Sequence, residues 1–133
     1  DFGKGFYLTL LRIQAEKYAQ RFIRRGQKAY IHEYELNIDL STYKIREFDC
    51  YNDAWLDYVS SCRFGREHES YDLISGGIAD DKVFNTIDLY FGGVLNKEDT
   101  LKRLMYEKPN HQICILNQEI VSSLILKSVV EIK

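Results

Sequence analysis

Apolar residues recur at helical spacing through positions 9–25, where Leu11, Ala15, Tyr18 and Phe22 return every three or four residues and so share one side of a helix. Thr9 stands where an N-cap is expected, and Gly26 stands where the helix should stop. Arg21, Arg24 and Arg25 fill the last turns, where cations suit the helix dipole. The period then changes. Across 28–38, Tyr30, His32, Tyr34, Leu36 and Ile38 alternate with Ile31, Glu33 and Glu35, the pattern of a half-buried strand. A turn at 39–42 leads to a second strand over 43–48. Asn52 is placed to cap a helix with Trp55, Tyr58, Val59 and Cys62 on one side, ending near Gly65.

The second half continues the mixture. A short strand is expected over 70–74, broken by Ser75-Gly76-Gly77. Asp80 or Asp81 then caps a helix carrying Val83, Phe84, Ile87 and Phe91. Asn96 opens another helix, with Asp99 at its third position in the manner of a capping box. Leu101, Leu104 and Met105 form its apolar side, and Pro109 stops it. Strands over 112–116 and 124–132 close the chain, joined by a short polar turn. Strand and helix alternate without regular βαβ units, which points to an α+β fold.

Composition narrows the class. The 133 residues suit a single domain. An apolar share of 45% and a charged share of 29% are those of an ordinary globular protein. The net charge of −2 gives no general attraction to nucleic acid or to anionic lipid. No apolar run reaches the length of a membrane span, so no membrane partner is expected. Three cysteines, Cys50, Cys62 and Cys114, lack C-x-x-C spacing. A disulfide framework and a metal site are therefore not expected, a reducing cytoplasmic setting is, and each thiol reads as packing material. No histidine pairs in sequence with a nucleophile.

Candidate chemistry concentrates at the start. Gly3 and Gly5 bracket Lys4, and Phe6-Tyr7-Leu8 then reads as a short strand. Glycines allow a ligand to approach the backbone closely. Tyr7, and Tyr18 eleven positions later on the first helix, would make two walls of a slot for a flat ring. The order Gly-x-Gly-aromatic-Tyr, followed by a helix with a second Tyr, resembles the nicotinamide pocket of ADP-ribosyltransferases of the poly(ADP-ribose) polymerase (diphtheria-toxin-like) type. Those enzymes carry an FGKGIYF run and a stacking tyrosine at the same spacing.

Near the other end, HQICIL at 111–116 resembles the strand that carries the catalytic glutamate of that family, with Gln112 at the glutamate's position. Glutamine keeps the hydrogen bond to the nicotinamide ribose but not the negative charge. The chain also resembles a bacterial family of small domains of unknown function, through DFGKGFY, QAEKYA, WLD, the run at 71–81 and QIC. The resemblance implies one ADP-ribosyltransferase-like domain over 1–133, with two small mixed or antiparallel sheets forming a cleft flanked by helices. It implies NAD as substrate, held by Gly3, Gly5, Phe6, Tyr7 and Tyr18, with Tyr7 and Gln112 catalytic. ADP-ribose would pass to a protein or nucleic-acid acceptor in a toxin or phage-defence setting, with an antitoxin or other regulator as a possible partner. An inactive binding module and an NAD glycohydrolase are the alternatives.

Two departures accompany the resemblance. The Tyr-His-Gly strand that opens such transferases is absent, and is expected upstream of Asp1. Ala15 replaces the serine that holds the nicotinamide amide. Asp80 and Asp81, after two glycines, read as a helix cap or as carboxylates facing a substrate. The basic cluster Lys17, Arg21, Arg24, Arg25 and Lys28 reads as a solvated helix face.

Overall fold

A computed structural model describes residues 2–77, 81–107 and 110–133. Six strands and five helices follow one another among these residues. They are β1 (Phe6–Leu8), α1 (Arg12–Arg24), β2 (Ala29–Leu36), β3 (Ile45–Glu47), α2 (Asp53–Phe64), β4 (Leu73–Gly76), α3 (Asp81–Phe91), α4 (Lys97–Leu104), β5 (Gln112–Ile115), α5 (Gln118–Ser122) and β6 (Leu124–Ile132). The chain is α+β, with two small sheets. The four-stranded sheet has the order β1-β5-β4-β3, and β2 pairs with β6 in a separate ribbon. In the larger sheet β5 runs antiparallel to both neighbours, while β3 and β4, joined through α2, are parallel.

Strand alternation divides the interior in two. Ile74 of β4 and Cys114 of β5 are paired and fully buried. They meet Trp55, Leu56, Val83 and Leu104 from α2, α3 and α4 in the main core. The next pair, Leu73 and Ile115, faces the other way. It packs with Ile120 of α5, joined by Leu36 of β2 and Leu124 of β6. The larger sheet is therefore covered on one side by helices and on the other by α5 and one end of the ribbon.

Capping explains most helix boundaries. Asn52 accepts a hydrogen bond from the Trp55 N–H at 2.9 Å, and Asn96 accepts one from Asp99 at 2.8 Å. Gly65 closes α2 with φ of 63°, a left-handed value open to glycine. Thr9 departs from expectation. Its hydroxyl accepts from the Leu11 N–H at 3.1 Å, forming a turn ahead of the helix, and α1 begins only at Arg12. The apolar stripe of α1 is not core either: Ala19 alone of that helix is buried.

Two further segments differ from the sequence reading. Ser75 and Gly76 belong to β4 and do not break it, because Gly76 pairs with Gln112 and a Cβ there would lie 3.0 Å from Phe48. The stretch after β5 is a helix, with Asn117 capping it through the Glu119 N–H at 2.9 Å. Its five residues are too few to show a period. The Pro109 stop and Asp80 lie outside the described residues. No described helix is long and apolar enough to cross a membrane.

Asp72 ties three elements at the edge of the second core. Its carboxylate accepts from the Lys44 N–H at 2.7 Å and from the Asn117 amide at 3.1 Å, and its carbonyl receives the Leu116 N–H at 2.8 Å. The two hydrogen bonds to the carboxylate, led by that from Lys44, hold its pKa below the ordinary value. A depressed folded-state pKa adds stability that is complete above the unfolded value, about 3.9, and is lost as pH falls through the folded value. Asp72→Asn should thus be less stable than the parent at neutral pH, and the difference should shrink on acidification below about pH 4. Urea melts across an acid pH series would measure it.

Gly5 shows the tightest fit. A Cβ on it would lie 2.5 Å from Cys114 Sγ and 2.9 Å from the Ile115 carbonyl. Gly5→Ala should destabilise the domain by about 1–3 kcal/mol, as overpacking does, seen as a lower urea midpoint with unchanged slope.

Candidate functional site

The turn that precedes β1 sets the position of Tyr7. Gly3 has φ of 95°, in the left-handed region, and a Cβ built there would meet nothing. Gly3 is thus required by conformation, and Gly5 by the approach of the turn to β5. The Tyr7 hydroxyl donates to the Gly3 carbonyl at 2.5 Å and accepts from the Phe2 N–H at 3.2 Å. It locks the turn onto the strand. Burial, followed by the neighbouring Cys114 thiol, pushes the Tyr7 pKa well above its ordinary value, so the phenol is held neutral.

Register places Gln112 near Tyr7. Tyr7 is directly opposite Cys114, and β5 alternation puts Gln112 on the same face as Cys114. Tyr7 and Gln112 are therefore diagonal neighbours on adjacent strands, a separation of about 7–8 Å between backbones. Gln112 is buried, with 8% of its surface exposed. Phe6 points to the opposite face. Its ring meets Tyr34 of β2 edge-on at 6.1 Å, so it ties the sheet to the ribbon.

Helix α1 is fixed to this end of the sheet by Gln14. Its amide nitrogen donates to the His111 carbonyl at 2.6 Å, and its amide oxygen accepts from the His111 N–H at 3.0 Å. The clamp sits one residue before Gln112. Tyr18 is one helical turn beyond Gln14 and shares its face. Its ring meets Phe22 edge-on at 5.9 Å and has the Arg21 guanidinium 5.2 Å from its centroid. At 59% exposure Tyr18 is a surface residue, despite its place on the apolar stripe. Asp81 begins α3, on the segment that follows β4, close in sequence to Gly76 opposite Gln112.

Two clefts open beside the Gly3 turn, and neither is lined by Tyr7, Tyr18 or Gln112. One, of about 360 Å³, is bounded by Gly3, Lys4, Tyr58, Cys62, His68 and Tyr71. The other, of about 170 Å³, lies between Gly3, Cys62, Arg63 and Phe91. Gly3 and Cys62 border both.

These clefts contain a pairing that the sequence reading missed. Cys62 Sγ lies 3.7 Å from His68 Nε2, and His68 Nδ1 is 3.0 Å from the Glu69 carbonyl. That contact requires a proton on Nδ1 and leaves Nε2 free to accept one from the thiol. The imidazole also meets the Tyr58 ring at 4.9 Å. The two residues are six apart, Cys62 in the last turn of α2 and His68 beyond its end, a spacing with no sequence signature. Burial raises the Cys62 pKa, which opposes activation. Cys50 is exposed and so is not packing material, whereas Cys114 is buried. Among the described residues no group of three or more His, Cys, Asp or Glu could hold a metal.

The chain belongs to the DUF3990 family of proteins of unknown function, which it matches over residues 1–126. No curated protein matches it, and no solved structure does.

The thiols give a direct test of the environment around Gly3. Exposed Cys50 should alkylate first. Cys62, with a raised pKa, has less thiolate at any given pH, so its rate should keep climbing above the ordinary thiol value of about 8.5. Mass spectrometry of iodoacetamide-treated protein across a pH series would order the two sites.

Proposed function

We propose that the domain binds NAD and transfers ADP-ribose to a macromolecule, releasing nicotinamide. One observation carries the reading: the Gln14 side chain, one turn before Tyr18, is clamped on the backbone of His111, the residue before Gln112, which shares a sheet face with Tyr7. The clamp links residues 97 positions apart in sequence, which supports a site shared by the two resembling motifs.

In this reading the nicotinamide ring stacks on exposed Tyr18. The turn at Gly3 to Gly5, held in shape by the Tyr7 hydroxyl, presents backbone to the ligand. Gln112 holds the ribose hydroxyl through its amide. An acceptor nucleophile attacks C1′, the C1′–N bond breaks, nicotinamide leaves, and the acceptor loses its proton to solvent or to a nearby base. Gln112 supplies no charge to the oxocarbenium-like transition state, so elongation of a poly(ADP-ribose) chain is not part of the proposal. The toxin or phage-defence setting and a regulatory protein partner belong to the same reading.

A second reading is favoured by two residues. Gln112 and Ala15 both lack the group that the transferases use, and a neutral amide in a buried position suits binding without turnover. That reading makes the domain an NAD-binding module.

Nicotinamide release by the full-length protein decides between them. Tyr18→Ala should weaken NAD binding by up to about tenfold, the value of one stacked ring, while leaving the fold intact because the side chain is exposed. Gln112→Ala should abolish release. Gln112→Glu should raise it by up to about a hundredfold, and most at alkaline pH, where the buried carboxyl is ionised and its charge meets the developing cation. Binding without release in all three proteins would establish the module, and absence of NAD binding would remove both readings.

A further inference from the structure

Positions 17–28 hold Lys17, Arg21, Arg24, Arg25 and Lys28, five of the chain's 18 Lys and Arg, and none of its 20 Asp and Glu. All five are exposed. Lys17, Arg21 and Arg24 are separated by four and three residues, so they stand in one row along α1; Arg25 caps the helix and Lys28 leads into β2. None of the five forms an ion pair with a described residue, although Arg12 on the same helix pairs with Glu16, and Lys44, Lys97, Lys102 and Lys127 each find a carboxylate. The helix dipole accounts for cations in the last turn. It does not account for Lys17 or Lys28, and like charges at this spacing repel one another. In a protein of net charge −2, the row is a local reversal of sign.

We propose that this row docks the phosphodiester backbone of a single-stranded nucleic acid. A row of exposed, unpaired cations complements a row of phosphates, and no acidic side chain within the segment opposes it. Arg21 belongs to the row and also lies over the Tyr18 ring at 5.2 Å, so a strand held there passes Tyr18. A single strand fits better than a duplex, because a base within a stack must be extruded before any group reaches it. That the bound strand is also the ADP-ribose acceptor rests on the transferase reading; the docking does not.

The test is fluorescence anisotropy of a labelled single-stranded RNA and a single-stranded DNA, titrated with the full-length protein without NAD over a range of salt. Expected is binding whose log K falls with log salt at a slope of about −3, corresponding to four or five phosphates at about −0.7 each. Arg24→Glu combined with Lys28→Glu should lower affinity at least about tenfold and flatten that slope. The neutral pair Arg24→Gln and Lys28→Gln should do so by less, with thermal melting reported for each to establish folding. The proposal is overturned if neither strand binds at low salt, or if folded charge-reversed protein binds as the parent does. It is also overturned if a duplex, an acidic peptide or phosphatidylserine vesicles bind better than the single strands. Because no NAD is present, failure here leaves nicotinamide release unaffected as evidence, and failure of release leaves docking to stand alone.

Discussion

Both buried cores meet at β5. Within four residues the strand contributes Cys114 to one core and Ile115 to the other. Its Cys114 Sγ and Ile115 carbonyl approach the Gly5 backbone so closely that no side chain fits there. Its leader is clamped by Gln14, and the residue after it is held by the Asp72 carbonyl. A strand fixed at both ends and buried on both faces has little freedom to shift, since a slip of one residue would exchange its core faces. This rigidity fixes where Gln112 stands, because it is the first residue of the strand.

Rigid and loosely held elements meet at the candidate site. Tyr7 and Gln112 come from the packed sheet, whereas Tyr18 comes from a helix that buries only Ala19 of its own residues. Gln14 ties that helix to the residue before Gln112. A side-chain amide that satisfies both the N–H and the carbonyl of one residue mimics a strand pairing, and it adds to the packing of α1 through buried Ala19. Side chains one turn on, Tyr18 among them, are exposed.

The sequence made the local features legible, while of the long-range ones the two small sheets were expected only by resemblance. Asn52 and Asn96 declare their helices because an N-cap is a contact of three residues, and Gly65 and Gly26 declare the ends because left-handed backbone selects glycine. Thr9 misleads because a hydroxyl two residues before an N–H can make a turn as readily as a cap. The apolar stripe of α1 misleads more seriously. Periodicity shows that Leu11, Tyr18 and Phe22 share a side, but burial depends on what covers that side. Gly5 carries no pattern that separates close packing from ligand approach; only the 2.5 Å contact with Cys114 does. The Cys62–His68 pair spans a helix end and a loop, where no period connects the two.

The chemistry around Gln112 turns on charge. Tyr7 beside it is held neutral by burial, Cys114 on the same face has its thiol pKa raised by burial, and Gln112 itself is nearly enclosed. A carboxylate in that position would have to be desolvated, which raises its own pKa and favours the neutral form. An amide avoids that cost and still offers both a donor and an acceptor. The face is therefore suited to holding hydroxyl groups in place more than to stabilising a cation. In the transferase proposal, acceleration comes chiefly from orientation of ribose and acceptor. The basic row on α1 then has a role consistent with this, since an acceptor delivered and held near Tyr18 supplies the proximity that a missing carboxylate leaves as the main source of rate.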